Sequence, residues 1–318
     1  MMDWFSVISE LTADLSDIVW GVWTIILLCG VGLLLTWKTK FVQATNFKKA
    51  LKLISGGALK RDSSEEGTGD ISPFQALTTA LSATIGNGNV AGVATAIAIG
   101  GPGAAFWMWT VSLFGMATKY AEAVLGVRYR QRSRDGTMLG GPMVYLNEGL
   151  GMKRLSLFFA ISALFGGIGA GNMTQSNSVA LVLFSDFGVP KWISGFALAV
   201  ALWLVIIGGI RRIGRFAEML VPSMALVYVL SCLVILLANV AELPAAFSLI
   251  IKSAFSGTAA TGGFAGATVA RAMAYGFRRG TVSSEAGVGT AAIAHGAART
   301  ADPHRPVSYT HLTLPTKA

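Results

Sequence analysis

Two asparagines, two hydroxyls and three glycines stand together in Ser82-Ala83-Thr84-Ile85-Gly86-Asn87-Gly88-Asn89-Val90-Ala91-Gly92, inside an apolar run long enough to cross a bilayer. A hydrocarbon core holds no water, so each backbone group there needs a protein partner. Glycine lets a helix unwind, and Asn and Thr side chains can replace the hydrogen bonds that unwinding removes. Such a break is tolerated only where it is buried in protein or lines a cavity. The chemistry it offers is binding. Free N–H groups at a half-helix amino terminus suit a carboxylate. Carbonyls freed on the other side of the break, with the side-chain oxygens of Thr84, Asn87 and Asn89, suit a hard monovalent cation such as Na⁺. No Asp or Glu lies within this run. A site made of dipoles fits a zwitterion and a monovalent cation better than a proton relay, which would need buried carboxylates.

A second apolar segment, 245–279, is interrupted at Ser256-Gly257-Thr258-Ala259-Ala260-Thr261-Gly262-Gly263 and reads as half-helices 245–257 and 264–277. Gly262-Gly263-Phe264-Ala265-Gly266 parallels Gly88-Asn89-Val90-Ala91-Gly92. The first break runs outward in the second span, and the second runs inward five spans later. An inverted five-helix repeat requires that placement, and paired interrupted helices point to the site of a secondary transporter.

The candidate site residues each carry two readings. Asn89 is a sodium or substrate ligand, or it ties helices together. Gln75 lies one turn into the second span, as a ligand or at the interface. Thr84, Asn87 and the flanking Gly86 and Gly88 belong to the substrate side of the first break, and Gly263, Phe264 and Gly266 to the second. Phe264 serves as pocket wall or as ordinary packing. Ala83, Thr84 and Asn89 form the expected sodium-binding set. In the fourth span Asn172 and Gln175 are three apart and share a face; they line the cavity or bind helices to each other. Glu285 caps the helix that follows Arg279, or gates.

Composition sets the frame that holds these residues. Charged residues are 13% of the chain, against about 25% in soluble domains. Glycine is 38 of 318 residues, above the usual share of about 7%. Together these imply an all-α polytopic membrane protein whose helices approach closely through small residues. The net charge of +9 does not indicate nucleic acid, because the basic residues cluster in short loops between apolar segments. Cys29 and Cys232 lie in apolar segments as packing residues, and the three histidines form no metal set. Gly86-Asn87-Gly88 is no dinucleotide fingerprint, since no strand precedes it and the third glycine is misplaced.

Six spans alternate with charge. Ile18–Trp37 reads as a permanent first span rather than a signal peptide. It is preceded by an acidic external segment, 1–17, and followed by a run of lysines, so the amino terminus is expected outside. Segment 46–56 has the spacing of a surface helix. Further spans are expected at 73–99, 103–127, 156–184, 190–209 and 217–238, with Pro73 in a first helical turn. Arg128, Arg130, Arg132 and Arg134, then Arg211, Arg212 and Arg215, then Arg278 and Arg279, fall on the inner side. A small-residue helix is expected over Ser284–Ala298. The tail 307–318 is unlike the rest and is expected to be foreign to it, with about four spans missing after residue 306.

Pro73-Phe74-Gln75-Ala76-Leu77-Thr78-Thr79-Ala80-Leu81, Thr84 through Ala94, and Gly100-Gly101-Pro102-Gly103-Ala104-Ala105-Phe106-Trp107-Met108-Trp109 resemble the alanine/glycine:cation symporter family. Gly140-Gly141-Pro142-Met143 with Tyr145, and Ser284-Glu285-Ala286-Gly287 after Arg279-Gly280, fit it also, so the resemblance covers roughly 15–300. Ser283-Ser284 departs from the family's more usual Ser-Asn. The resemblance implies a LeuT-type inverted-repeat fold of about eleven spans, here truncated after about seven, with a transporter domain over 18–300. It also implies sodium-coupled uptake of alanine or glycine across a bacterial inner membrane, with no organic cofactor and lipid as the surrounding partner. The family's glutamine after Pro-Phe maps to Gln75. An ion channel using the breaks as a filter and a non-transporting membrane subunit are the rival readings. No nucleophile, base or metal set supports an enzyme.

Overall fold

The computed structural model describes residues 4–46, 67–256 and 269–300. The expected second break, with Gly263, Phe264 and Gly266, lies outside the described residues, as do most of segment 46–56 and the whole of tail 307–318.

The described chain is almost entirely helical. The amino-terminal helix α1 (Trp4–Val19) bends at Trp20–Gly21 into α2 (Val22–Lys38), and a short turn, α3 (Val42–Thr45), follows. The expected external segment 1–17 is therefore helical from Trp4 onward, and Ser6–Lys38 is long and apolar enough to cross a membrane. Two other helical runs meet that standard among the described residues, Lys153–Phe187 and Gly209–Ala238.

The second expected span is two pieces, α4 (Pro73–Thr84) and α5 (Val93–Gly100). Pro73 occupies the first turn of α4, and Ser72 and Gln75 form a reciprocal capping box there. Helix α6 (Gly103–Arg128) turns back and is the centre of the fold. A two-stranded antiparallel hairpin, β1 (Gln131–Arg132) with β2 (Met138–Leu139), leads to α7 (Pro142–Glu148). Helices α8 (Lys153–Gly166) and α9 (Thr174–Phe187) are joined by a wide π segment at Gly167–Met173. Then come α10 (Lys191–Ile206), α11 (Gly209–Ala238, with Pro222 inside it), α12 (Leu243–Ser256), α13 (Val269–Ser284) and α14 (Thr290–Gly296).

Two expected boundaries move. Helix α11 starts at Gly209 rather than 217, so Arg211, Arg212 and Arg215 ride on its first turns instead of a loop. Helix α13 continues past Arg278 and Arg279 to Ser284, and the expected helix Ser284–Ala298 shrinks to α14. The reason is backbone geometry. Glu285, Gly287 and Gly289 all have positive φ (52°, 86° and 85°), which no α-helix accommodates.

The core is built from small residues. Ala104, Ala117 and Ala123 of α6 and Ala292 of α14 are fully buried, with Ala272 of α13 nearly so. A Cβ on Gly276 would come within 2.6 Å of Trp107 Cβ, and one on Gly280 within 2.4 Å of Val111 Cγ1. Likewise a Cβ on Gly126 would meet the Ala292 carbonyl at 2.4 Å. Backbones in contact replace side-chain interdigitation, as expected where lipid removes the hydrophobic drive between helices. By contrast α8 to α10 expose large apolar side chains such as Phe158, Phe165 and Phe196, the surface a bilayer would cover.

Candidate functional site

Helix α4 ends at Thr84. Ile85 is extended (φ −89°, ψ 98°), Gly86 completes the break, and the chain resumes helical geometry at Asn87 and in a π turn, Gly88–Gly92, before α5. Several of the polar groups freed there are taken up by neighbours. The Asn89 side-chain amide donates to the Thr84 carbonyl at 2.7 Å, closing the end of α4. Its Oδ1 accepts from the hydroxyl of Ser283 on α13. On the other side, the Asn87 N–H donates to Gln175 Oε1 on α9 at 3.1 Å, and Gly86 leaves room for that side chain, since a Cβ would meet Gln175 Nε2 at 2.8 Å. The Tyr228 hydroxyl on α11 reaches the Asn89 carbonyl at 3.4 Å.

Lys119 lies beneath the break on α6. It is 2% exposed, and its Nζ donates to Thr84 Oγ1 at 2.9 Å and to the Ser284 carbonyl at 3.0 Å. One turn further, Glu122 is buried and receives the backbone N–H groups of Gly287 and Gly289. Glu285 accepts from the hydroxyl of Thr290, the first residue of α14, at 2.7 Å. The turn between α13 and α14 is thus bound to α6 by one lysine and one glutamate, and Glu285 bonds α14 at its amino end, where Gly289 is the N-cap residue.

The sequence-derived residues divide accordingly. Thr84, Gly86, Asn87, Gly88, Asn89 and Gln175 come together, with Gly88 packed over Ser283. Ala83 is exposed beside them. Asn172 is exposed within the π segment, a turn before Gln175. Gln75 stands more than two turns below the break; its Nε2 donates to Glu218 on α11 at 2.8 Å and its Oε1 completes the capping box. Sequence reasoning missed Lys119, Glu122, Ser283 and Tyr228. Two charges three residues apart in an apolar span were the available signal for the first two. Ser283 carries no such signal, because its role depends on where α13 ends.

The model of the sodium:alanine symporter family matches residues 5–311. The chain belongs to that family. It is 47% identical over 308 residues to the sodium/alanine symporter AgcS of Methanococcus maripaludis, covering 96% of this chain and 65% of that protein. It is 45% identical to the uncharacterized transporter YflA of Bacillus subtilis, covering 92% and 61%. It is 34% identical to the amino-acid carrier protein AlsT of the same organism, covering 91% and 59%. The chain therefore spans about three fifths of the length of these relatives. The family is one of symporters rather than of enzymes, named for sodium and alanine, and the long apolar helices of this chain are those of a multi-pass membrane protein.

Proposed function

We propose that the chain belongs to a sodium-coupled symporter that carries alanine or glycine into the cell, set in a bacterial inner membrane with its amino terminus outside. The break at Ile85–Gly86, with Gln175 holding the Asn87 amide from another span, carries this reading. It is a discontinuous helix in the second span of a family member, with backbone dipoles facing a neighbouring polar side chain. The relative at 47% identity is named a sodium/alanine symporter, which supports the same substrates here.

In this reading the substrate carboxylate meets the N–H groups of Gly86 and Gly88 at the start of the outer half-helix, beside the Asn87 N–H that Gln175 holds. Gly263, Phe264 and Gly266 supply the opposite wall of a LeuT-type inverted repeat, and the sodium ion draws on oxygens of Ala83, Thr84 and Asn89. Rocking of helices about this point would alternate access. The test is uptake of labelled alanine into proteoliposomes holding the protein expressed from its complete reading frame. An inward Na⁺ gradient should drive accumulation that unlabelled glycine competes away. Equal uptake with choline in place of sodium would exclude sodium coupling, and non-saturating flux would favour a channel.

A further inference from the structure

Lys119 is no member of the proposed sodium and substrate sets, yet it touches one of their residues, Thr84. An ammonium sealed inside a spanning bundle sits on two oxygens, one on each side of the junction between the broken helix and the α13–α14 turn. The Thr84 hydroxyl spends its proton on the Ala80 carbonyl at 2.9 Å, so it offers Lys119 only lone pairs. Ser284 contributes the last carbonyl of α13, freed because the helix stops there. The carboxylates of Glu285 and Glu122 lie close enough to attract the ammonium. This is the ligand set a sodium ion would seek: a hydroxyl oxygen, a helix-end carbonyl and negative charge nearby. At 2% exposure Lys119 is closed to a substrate carboxylate, and Thr84 at 3% is closed with it.

We propose that Lys119 is a tethered cation that holds the coupling ion's place at the break, so that sodium binds Thr84 only by displacing the ammonium from Thr84 and Ser284. Two positive charges sharing one oxygen in a low-dielectric interior repel strongly, so the ammonium must withdraw when sodium arrives. Its withdrawal releases the Ser284 carbonyl. The turn that follows, with positive φ at Glu285, Gly287 and Gly289, then loses one of the bonds fixing it to α6. Lys119 is thus a positioning residue through which ion binding at the break reaches the α13–α14 turn. The inference rests on the sodium-symport reading.

The experiment compares thermal stabilisation of the purified protein by NaCl, relative to choline chloride, in wild type, Lys119→Met/Glu122→Gln and Thr84→Val. Wild-type uptake is measured alongside. The double substitution removes one positive and one negative charge and leaves the cluster balanced. It should lower the NaCl concentration for half-maximal stabilisation by roughly tenfold or more, because the competing charge is gone. Thr84→Val keeps the side-chain volume, removes the shared oxygen and should abolish the sodium-specific shift even if the double variant does not fold. An unchanged half-saturation in the double variant, or a full sodium shift in Thr84→Val, overturns the proposal while wild-type sodium-driven uptake leaves the symport reading standing. A wild type with neither sodium-specific stabilisation nor sodium-driven uptake removes both.

Discussion

Asn89 joins the two sides of the molecule's central discontinuity: its amide closes the end of α4 on the Thr84 carbonyl, and its carbonyl oxygen receives the Ser283 hydroxyl from α13. One side chain thereby satisfies the orphan carbonyl of a helix end and ties the break to a helix 194 residues away. Asn89→Ala would leave both partners buried without a bond, at about 1–3 kcal/mol for each unsatisfied group. A clear drop in melting temperature in detergent is expected. Asn89→Asp keeps the acceptor for Ser283 but loses the donor to Thr84, and adds a buried negative charge at the break. It should be no more stable than the alanine variant. Wild-type stability in either would show that the break is held by other bonds.

Gln175 predicts a functional effect with little structural effect. Its side chain is exposed and touches the break through the Asn87 amide. Gln175→Ala removes one hydrogen bond worth about 1 kcal/mol and frees a backbone N–H at the start of the half-helix that runs into α5. The melting temperature should change little, while the KM for alanine uptake rises roughly fivefold. Gln175→Glu should be worse than alanine for uptake, since its carboxylate would repel that of the substrate. A loss of stability equal to that of Asn89→Ala would recast Gln175 as a structural bond only.

The contact between α6 and α13 predicts the opposite pattern. Gly276 and Gly280 are four apart on α13 and lie against Trp107, Met108 and Val111, where any Cβ would fall within 2.7 Å of a neighbouring atom. Gly276→Val must push the helices apart, at roughly 1–3 kcal/mol for overpacking. Because α13 carries Ser283 and Ser284, the displacement reaches the break. Both melting temperature and uptake should fall together, and Gly276→Ala should fall between wild type and valine.

How much of this was legible in the sequence differs from one residue to the next. The break itself was readable, because glycine and asparagine inside an apolar run have few other uses, and Pro73 marked a helix start. The partners of the break were only half readable. Gln175 announced itself as polarity in an apolar helix, and Asn172, with the same signature one turn away, does not reach the break, because the π segment sets it outside. Gln75 reads as a ligand or interfacial residue by position, and its side chain bonds the capping box and Glu218, a contact between residues 143 apart that no local pattern encodes. The end of α13 was misplaced because Arg278 and Arg279 read as a boundary. The actual stop comes six residues later, where the chain adopts positive φ at Glu285.

One end of the bundle is fastened by Arg130. Its guanidinium donates to the carbonyls of Gly296 and Ala298 at 3.3 and 2.5 Å, and to those of Thr68 and Thr300 at 2.6 and 2.8 Å. The segment before α4 and the segment after α14 also pair directly, with Ile71 beside Ala298 and the Asp70 N–H on the Ala297 carbonyl. Asp70 in turn accepts from the Met138 N–H on the hairpin and from Arg211 on α11. Only a planar fork with several donors can hold four carbonyls from two chain segments at once. Arg130→Lys should therefore behave nearly like Arg130→Ala rather than like wild type. Both should open the strap to trypsin at Arg299 and lower the melting temperature, each charged hydrogen bond contributing about 1.5–3 kcal/mol where it is buried. The strap joins the foot of the broken helix to the turn that Glu122 and Lys119 hold. Loosening it should raise the rate of alanine exchange across the membrane without a sodium gradient, while alanine accumulation driven by the gradient falls. Resistance to trypsin at Arg299 equal to that of wild type in Arg130→Ala would show that the Ile71–Ala298 pairing alone is enough to close this end.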